Sequence, residues 1–174
     1  MPVPIRPGGP DDIPAITRIY AHAVRGGTAS FEIEAPDEHE MARRQRALLD
    51  GGFPYLVAEA ARGVVGYAYA GPYRLRPAYR LSVEDSIYVA AGSQRQGVGR
   101  TLLEALIAEA EARNFRQMIA VIGDPDRQTP SVTLHRLAGF AIVGTLRAVG
   151  YKQGAWRDTL LMQRALGAGA TAPP

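Results

Sequence analysis

SVEDSIYVAAGSQRQGVGR, residues 82–100, followed at once by TLLEALIAEAEARN, is the stretch that decides how this chain is read. A strand-forming run with an acid near its start, Glu84, passes through a short polar loop holding Gly97 and Gly99 and opens an apolar repeat of helical period. Val98, Leu102, Leu106 and Ala110 form one stripe, with Leu103 and Ile107 beside it, which predicts a helix over residues 98–113. That order gathers backbone N–H groups at a helix N-terminus, where they can hold an anionic phosphate chain, and it sets a carboxylate one strand-length away. An anion cradle and a candidate general base in one unit point to an enzyme with a phosphate-bearing cofactor. Two familiar alternatives fail on spacing. A dinucleotide fingerprint needs a third glycine where Leu102 stands, and a nucleotide-phosphate loop of the G-x-x-x-x-G-K-[ST] type needs a lysine that does not follow. An ordinary helix start that happens to carry two glycines is the bland alternative. Glycine costs stability there, so close approach of a ligand to the backbone is the economical explanation.

Working outward, a short strand is expected over residues 3–6. A helix capped by Asp11 or Asp12 follows to about Val24, with Ile13, Ile16, Ile19, Tyr20 and Ala23 at helical spacing. A second helix over 37–49 stops at Gly51 and Gly52. Residues 55–60 and 64–71 read as an antiparallel hairpin, 72–80 as a loop rich in aromatics and arginine, and 81–89 as the next strand. QMIAVIG (117–123) is a continuous apolar run, hence a central strand. A one- to two-turn helix near 131–138 ends at Gly139, and 140–150 and 156–166 supply two more strands. The expected architecture is α/β: a mixed, mostly antiparallel sheet with helices on both faces, in one domain over residues 1–166. The tail GAGATAPP (167–174) has little to bury and is expected to fray.

Composition narrows the class. With 174 residues, 47% hydrophobic and 21% charged, the chain can bury a core without staples. It has no cysteine, which removes disulfides, thiolate metal sites and a cysteine nucleophile. The formal charge of +3 suits an acidic ligand, but basic residues are neither clustered nor interleaved with aromatics as a nucleic-acid binder requires. The N-terminus lacks the apolar segment of a signal peptide, and the apolar region at 55–73 is broken by Glu59, Arg62 and glycines. A cytoplasmic protein without membrane or metal partners is expected.

The same residues also resemble a family. Q-x-x-G-x-G after IYV, and SVTLHRLAGF (131–140), resemble the pyrophosphate loop and a later helix-and-glycine motif of the GCN5-related N-acetyltransferases (GNAT). GYAYAGPYRLRPAY, SVEDSIYV, AVIG, LHRLAGF, GTLRAVGYKQGAW and RDTLLMQ, in that order, resemble its phosphinothricin and methionine sulfoximine acetyltransferase branch. The match covers nearly the whole chain. It implies the GNAT fold, a homodimer, and acetyl-CoA as cosubstrate. The pantetheine arm would lie along Ile87, Tyr88 and Val89, and Arg95, Gln96, Gly97, Val98, Gly99 and Arg100 would wrap the pyrophosphate. Ser131 and His135 would lie beside the cofactor. Where the branch carries Asn three residues before that serine, this chain has Gln128, whose amide reaches one methylene further.

Acetyl transfer needs a neutral amine, and an amino-acid amine is mostly protonated at neutral pH, so a base is required. Glu84 is the candidate, since the branch places its proposed base there; its alternative is a surface acid paired with arginine. Period 2 puts Glu84, Ser86 and Tyr88 on one strand face and Asp85, Ile87 and Val89 on the other. The Val89 N–H would polarise the thioester carbonyl. His135 is a cofactor contact and candidate acid for the leaving thiolate. The resemblance assembles the acceptor pocket from Phe31, the 73–79 loop with Arg74, Leu75, Arg76 and Tyr79, and Glu84, Asp85 and Ser86. Lys152 and Trp156, in a glycine-rich hairpin, are expected to close the pocket or meet a partner subunit. The expected acceptor is the α-amine of a small amino-acid analogue. A polyamine, an aminoglycoside, a protein N-terminus, or acyl-CoA binding without turnover are the alternatives.

Overall fold

Alternation along one hairpin sorts the core into two layers. In the computed structural model, which describes residues 3–173, β2 (Tyr55–Ala60) and β3 (Gly63–Pro72) turn Tyr55, Val57 and Tyr67 to one face and Leu56, Ala58, Ala68 and Ala70 to the other. The first face packs on Ile13, Ile16, Ile19, Tyr20 and Val24 of α1 (Ile13–Gly26) and Met41 of α2 (Glu38–Asp50). The second packs on α3 (Val98–Ala112), whose Leu102, Leu103 and Leu106 are fully buried, the stripe expected from their spacing. Truncating any of these leucines to alanine costs about 2–5 kcal/mol.

The remaining elements are β1 (Ile5–Pro7), β4 (Ser82–Val89), β5 (Gln117–Gly123), α4 (Thr129–Leu137), β6 (Ala141–Lys152) and β7 (Ala155–Ala165). The seven strands run in the order β1-β2-β3-β4-β5-β7-β6. Every pairing is antiparallel except β4–β5, the two strands that α3 connects. The expected mixed, mostly antiparallel sheet with helices on both faces is what forms.

One local expectation is corrected. Asp12 does not cap α1: its carboxylate is forked by Arg6 at 2.8 Å through both terminal nitrogens and accepts the Gly9 N–H at 2.8 Å. A bidentate charged pair outcompetes a single capping bond. Asp37, by contrast, caps α2 by accepting the Glu40 N–H at 2.8 Å. β5 is central, as expected; Met118, Ala120 and Ile122 on one face are buried, while Val121 on the other is exposed. Past β7 the chain turns back toward Arg116. Leu166 is fully buried, its N–H donates to the Arg116 carbonyl, and the Arg116 guanidinium reaches the Gly169 carbonyl.

Two features of this frame position the site. The β4–β5 ladder runs only from Ser82↔Gln117 to Asp85↔Ala120, although β4 continues to Val89 and β5 to Gly123. The strands therefore fork after Asp85. And α1 and α2 stop short of β5, leaving the face that carries Glu84, Ile119, Val121 and Leu161 open toward β6. Among the described residues no helix is long and apolar enough to cross a membrane, and no acid, histidine and cysteine cluster could hold a metal.

Candidate active site

The fork leaves the β5-facing backbone groups of residues 86–89 without a strand partner, an edge that an extended amide-bearing chain can pair with. A cleft of about 110 Å³ fills it, lined by Ser86, Ile87 and Tyr88 on one side, Val121 to Gly123 on the other, and Gln128, Ser131 and His135 below. Tyr88 contributes backbone only; its ring sits edge-on to Tyr20 at 4.9 Å in the core. Gln128 precedes α4 and makes no capping bond, so its amide stays available to the cleft.

Beyond the fork, the loop into α3 forms a cradle. Arg95 and Gly97 both have positive φ, 59° and 83°, which turns successive backbone N–H groups inward. The start of α3 has no side-chain cap and no acid in its first turn. Its free N–H groups and helix dipole thus face an anion unopposed. A Cβ on Gly97 would meet nothing within 4 Å, so open space lies over the cradle. Val98 is buried and anchors the loop to the core. Two side chains expected to wrap a pyrophosphate are partly committed: Gln96 donates to the Gly92 carbonyl at 3.0 Å and Arg100 to Glu104 at 2.7 Å. The cradle is chiefly backbone.

Two of the expected site residues meet each other. Asp85, expected on the acceptor side, lies on the opposite face of β4 and is 7% exposed, its Oδ2 2.9 Å from His135 Nε2. His135, itself 4% exposed, also has Nδ1 2.7 Å from the Ser131 carbonyl. Burial alone would push the imidazole pKa down, but the bonds to Asp85 and Ser131 outweigh it and the net shift is upward. Its two ring nitrogens thus bridge β4 and α4 at the point where the strands part. Positions fifty residues apart gave the sequence no local sign of this pair.

Glu84 sits one residue before the fork on the open face, half-buried. Burial, then the neighbouring Asp85, raise its pKa, and Arg74 opposes them. Ser86 lies across from Tyr69 of β3, a site neighbour that sequence reasoning missed though the YAY alternation carries it. Arg74, Leu75, Arg76 and Tyr79 are on an exposed loop, of which only Arg74 is felt by Glu84. Tyr79 joins Tyr73, Ser82, Ile119, Val143 and Leu161 around a hollow of about 220 Å³ beside it. Phe31 lies between Gly123 and Gly150, where a Cβ on either glycine would overlap its ring. Trp156 is exposed and edge-on to Tyr151, but Lys152 turns inward to the Val24 and Ser30 carbonyls. The pieces together are an extended-chain edge, a candidate anion cradle at its far end and a half-buried carboxylate at its near end.

A family model described as acetyltransferase (GNAT) domain matches residues 5–161. The chain belongs to the GNAT acetyltransferase family. It is 55% identical over 164 residues to a phosphinothricin N-acetyltransferase of Alcaligenes faecalis, covering 94% of this chain and 83% of that one. It is 39% identical to an L-methionine sulfoximine/L-methionine sulfone acetyltransferase of Pseudomonas paraeruginosa over 99% of this chain and all of the relative. A crystal structure of a GNAT-superfamily phosphinothricin acetyltransferase from Sinorhizobium meliloti, in complex with AcCoA, superposes with a TM-score of 0.97 at 44% identity, covering 100% and 94% of the two chains. The protein is thus an N-acetyltransferase, and acetyl-CoA is its family's cosubstrate. The fork and cradle fit the two ends of that molecule, an amide-bearing arm and a pyrophosphate.

Proposed function

We propose that this GNAT enzyme transfers acetyl directly to the α-amine of a small amino-acid analogue of the methionine sulfoximine, methionine sulfone or phosphinothricin type. The observation that carries the mechanism is Glu84: a half-buried carboxylate with a raised pKa, one residue before the edge where acetyl-CoA would lie. Bound there, the cosubstrate supplies an activated thioester carbonyl. The open edge at 86–89 aligns it, the Val89 N–H polarises its oxygen, and the Arg95–Gly99 cradle holds the pyrophosphate, with Gln128 and Ser131 beside the arm. Glu84 takes the proton of the acceptor ammonium, directly or through one water, freeing the lone pair. The departing thiolate takes its proton from His135, the candidate acid beside the cleft, or from solvent. Arg74 and Arg76 meet the acceptor carboxylate or its sulfoximine or phosphinyl oxygens, and Tyr79 and Phe31 wall the acceptor side.

A homodimer belongs to the same reading. The outer strands expose Ile142, Val143, Leu146, Val149, Tyr151 and Trp156, an apolar row that a second copy would cover.

A thiol-release assay with acetyl-CoA against a panel of amines tests the reaction. Turnover with methionine sulfoximine or phosphinothricin, and not with spermidine, aminoglycosides or peptides, is the expected result. Turnover only with peptides or polyamines would replace the acceptor, and acetyl-CoA binding without any turnover would remove the enzyme reading.

A further inference from the structure

Lys152 ends β6 at a hairpin tip, where a lysine ordinarily reaches into solvent. Here it is 5% exposed, and its Nζ donates to the Val24 carbonyl at 2.8 Å and the Ser30 carbonyl at 2.6 Å. Neither partner is a carboxylate. Val24 lies in the last turn of α1, whose terminal carbonyls lack helical partners and whose dipole is negative there, so the ammonium has a favourable seat. Burying an ammonium against neutral carbonyls is still costly, and an apolar side chain would fill the same space at less expense.

What the ammonium holds is residues 28–32, a segment in no helix or strand. Thr28 and Ser30 are buried. The Ser30 hydroxyl lies 2.9 Å from the Tyr20 hydroxyl and accepts the Glu32 N–H at 3.2 Å. The Glu32 carboxylate accepts from Tyr20 at 2.9 Å and from Arg44 at 2.5 Å. Between these anchors, Ala29 lines the cleft at the fork and Phe31 is clamped between Gly123 at the end of β5 and Gly150 of β6. Lys152 is the one hydrogen-bonding side chain in this set that comes from β6, and it bonds the backbone of the residue next to Phe31.

We propose that Lys152 is a positioning residue for the amine acceptor: by pinning residues 28–32 to the β6 tip it fixes Phe31 and Ala29 as the wall between the cofactor cleft and the acceptor side, setting acceptor affinity without touching the acceptor. The effect on the acceptor rests on the function proposed above; the pinning itself does not.

The test compares Lys152→Met, which keeps volume and loses charge, with wild type. Two charge-assisted bonds are lost, so backbone amide exchange over residues 28–32 should quicken by roughly tenfold or more, with exchange over β5 unchanged. The acceptor KM should rise by roughly tenfold while the acetyl-CoA Kd stays within about twofold of wild type. Lys152→Arg, which keeps a donor at the site, should recover part of both effects. Gly150→Ala displaces Phe31 while leaving the ammonium in place, and should raise the acceptor KM alone; it decides the matter if Lys152→Met does not fold. Unchanged exchange at 28–32, exchange quickened equally throughout the chain, an unchanged acceptor KM in Gly150→Ala, or a Kd for acetyl-CoA that rises in step with the acceptor KM would each overturn the proposal. Wild-type protein that acetylates no amino-acid analogue would overturn the acceptor reading instead, while exchange at 28–32 would still report on the pin.

Discussion

The two ends of β4 are built by different means. Past Asp85 the strand presents backbone: an unpaired edge at residues 86–89, then a loop whose positive φ angles at Arg95 and Gly97 expose amides. Before Asp85 it presents a side chain, Glu84, and the proposed acceptor side is assembled from the 73–80 loop, from β5 and β7, and from residues 28–32. A site made of backbone depends on chain direction and conformation, so it survives most side-chain changes and suits a cosubstrate shared by a whole family. A site made of side chains from four segments can be retuned one residue at a time. On the proposed function, acceptor choice is written on the near end of β4, and Glu84 stands at the border of the two.

Removing that border residue is the most damaging change the comparison predicts. Glu84→Gln should lower kcat by roughly 10²–10⁴, the usual contribution of a general base. The acetyl-CoA Kd should not move, because the carboxylate lies on the other face of the strand from the cradle's anchoring contacts. The pH dependence has a definite sign. Glu84 must be ionised to accept a proton, and burial and Asp85 raise its pKa. The rate should then fall as pH drops through a value above the ordinary glutamate pKa of about 4.3. A variant that keeps wild-type kcat, or an acidic limb at or below the ordinary value, would remove Glu84 as the base.

Arg74→Ala probes the side-chain end alone and should act about tenfold, mainly on the acceptor KM. It carries a second signature. The Arg74 charge holds the Glu84 pKa down, so without it the acidic limb of the rate should move to higher pH. A KM change with no movement of the limb would place Arg74 at the substrate but away from the base. Weakened acetyl-CoA binding would mean the two ends of β4 are not separable as described.

How far each end could be read from the sequence follows the same division. The cofactor end is contiguous, so strand, loop and helix were legible from residues 82–113, and the observed β4, α3 and β5 fall within a residue of their expected bounds. The acceptor end and the pins were not. Period 2 alone put Asp85 on the face away from Glu84; its partner His135 lies fifty residues on, and nothing local announces a bond over that separation. The clamp on Phe31 needs two glycines from different strands. Lys152 at a hairpin tip reads as a group that closes the pocket or meets a partner subunit until α1 is seen to end beneath it. Asp12 looked like a cap because a cap is a local rule, and Arg6 overrode it with a stronger local bond.

The smallest expected effects separate what the protein needs at its glycines from what a ligand needs. Gly97 sits at φ 83° with nothing near its missing Cβ, so Gly97→Ala is strained by backbone alone and should cost about 1 kcal/mol of stability. If that strain is relieved by flattening the cradle, the acetyl-CoA Kd should rise by about fivefold. Gly99 is different. It is helical, and a Cβ there would meet Leu134 at 3.6 Å and Val89 at 3.7 Å, ordinary contact distances. For the protein by itself, Gly99→Ala should therefore be stabilising by up to about 1 kcal/mol. Calorimetric titration with acetyl-CoA then isolates the ligand's share. A more stable Gly99→Ala that binds acetyl-CoA more weakly would mean the cosubstrate comes against the backbone at Gly99, since no protein contact penalises the methyl group. A more stable variant with unchanged affinity would confine the close approach to Gly97 and leave Gly99 without a role in binding.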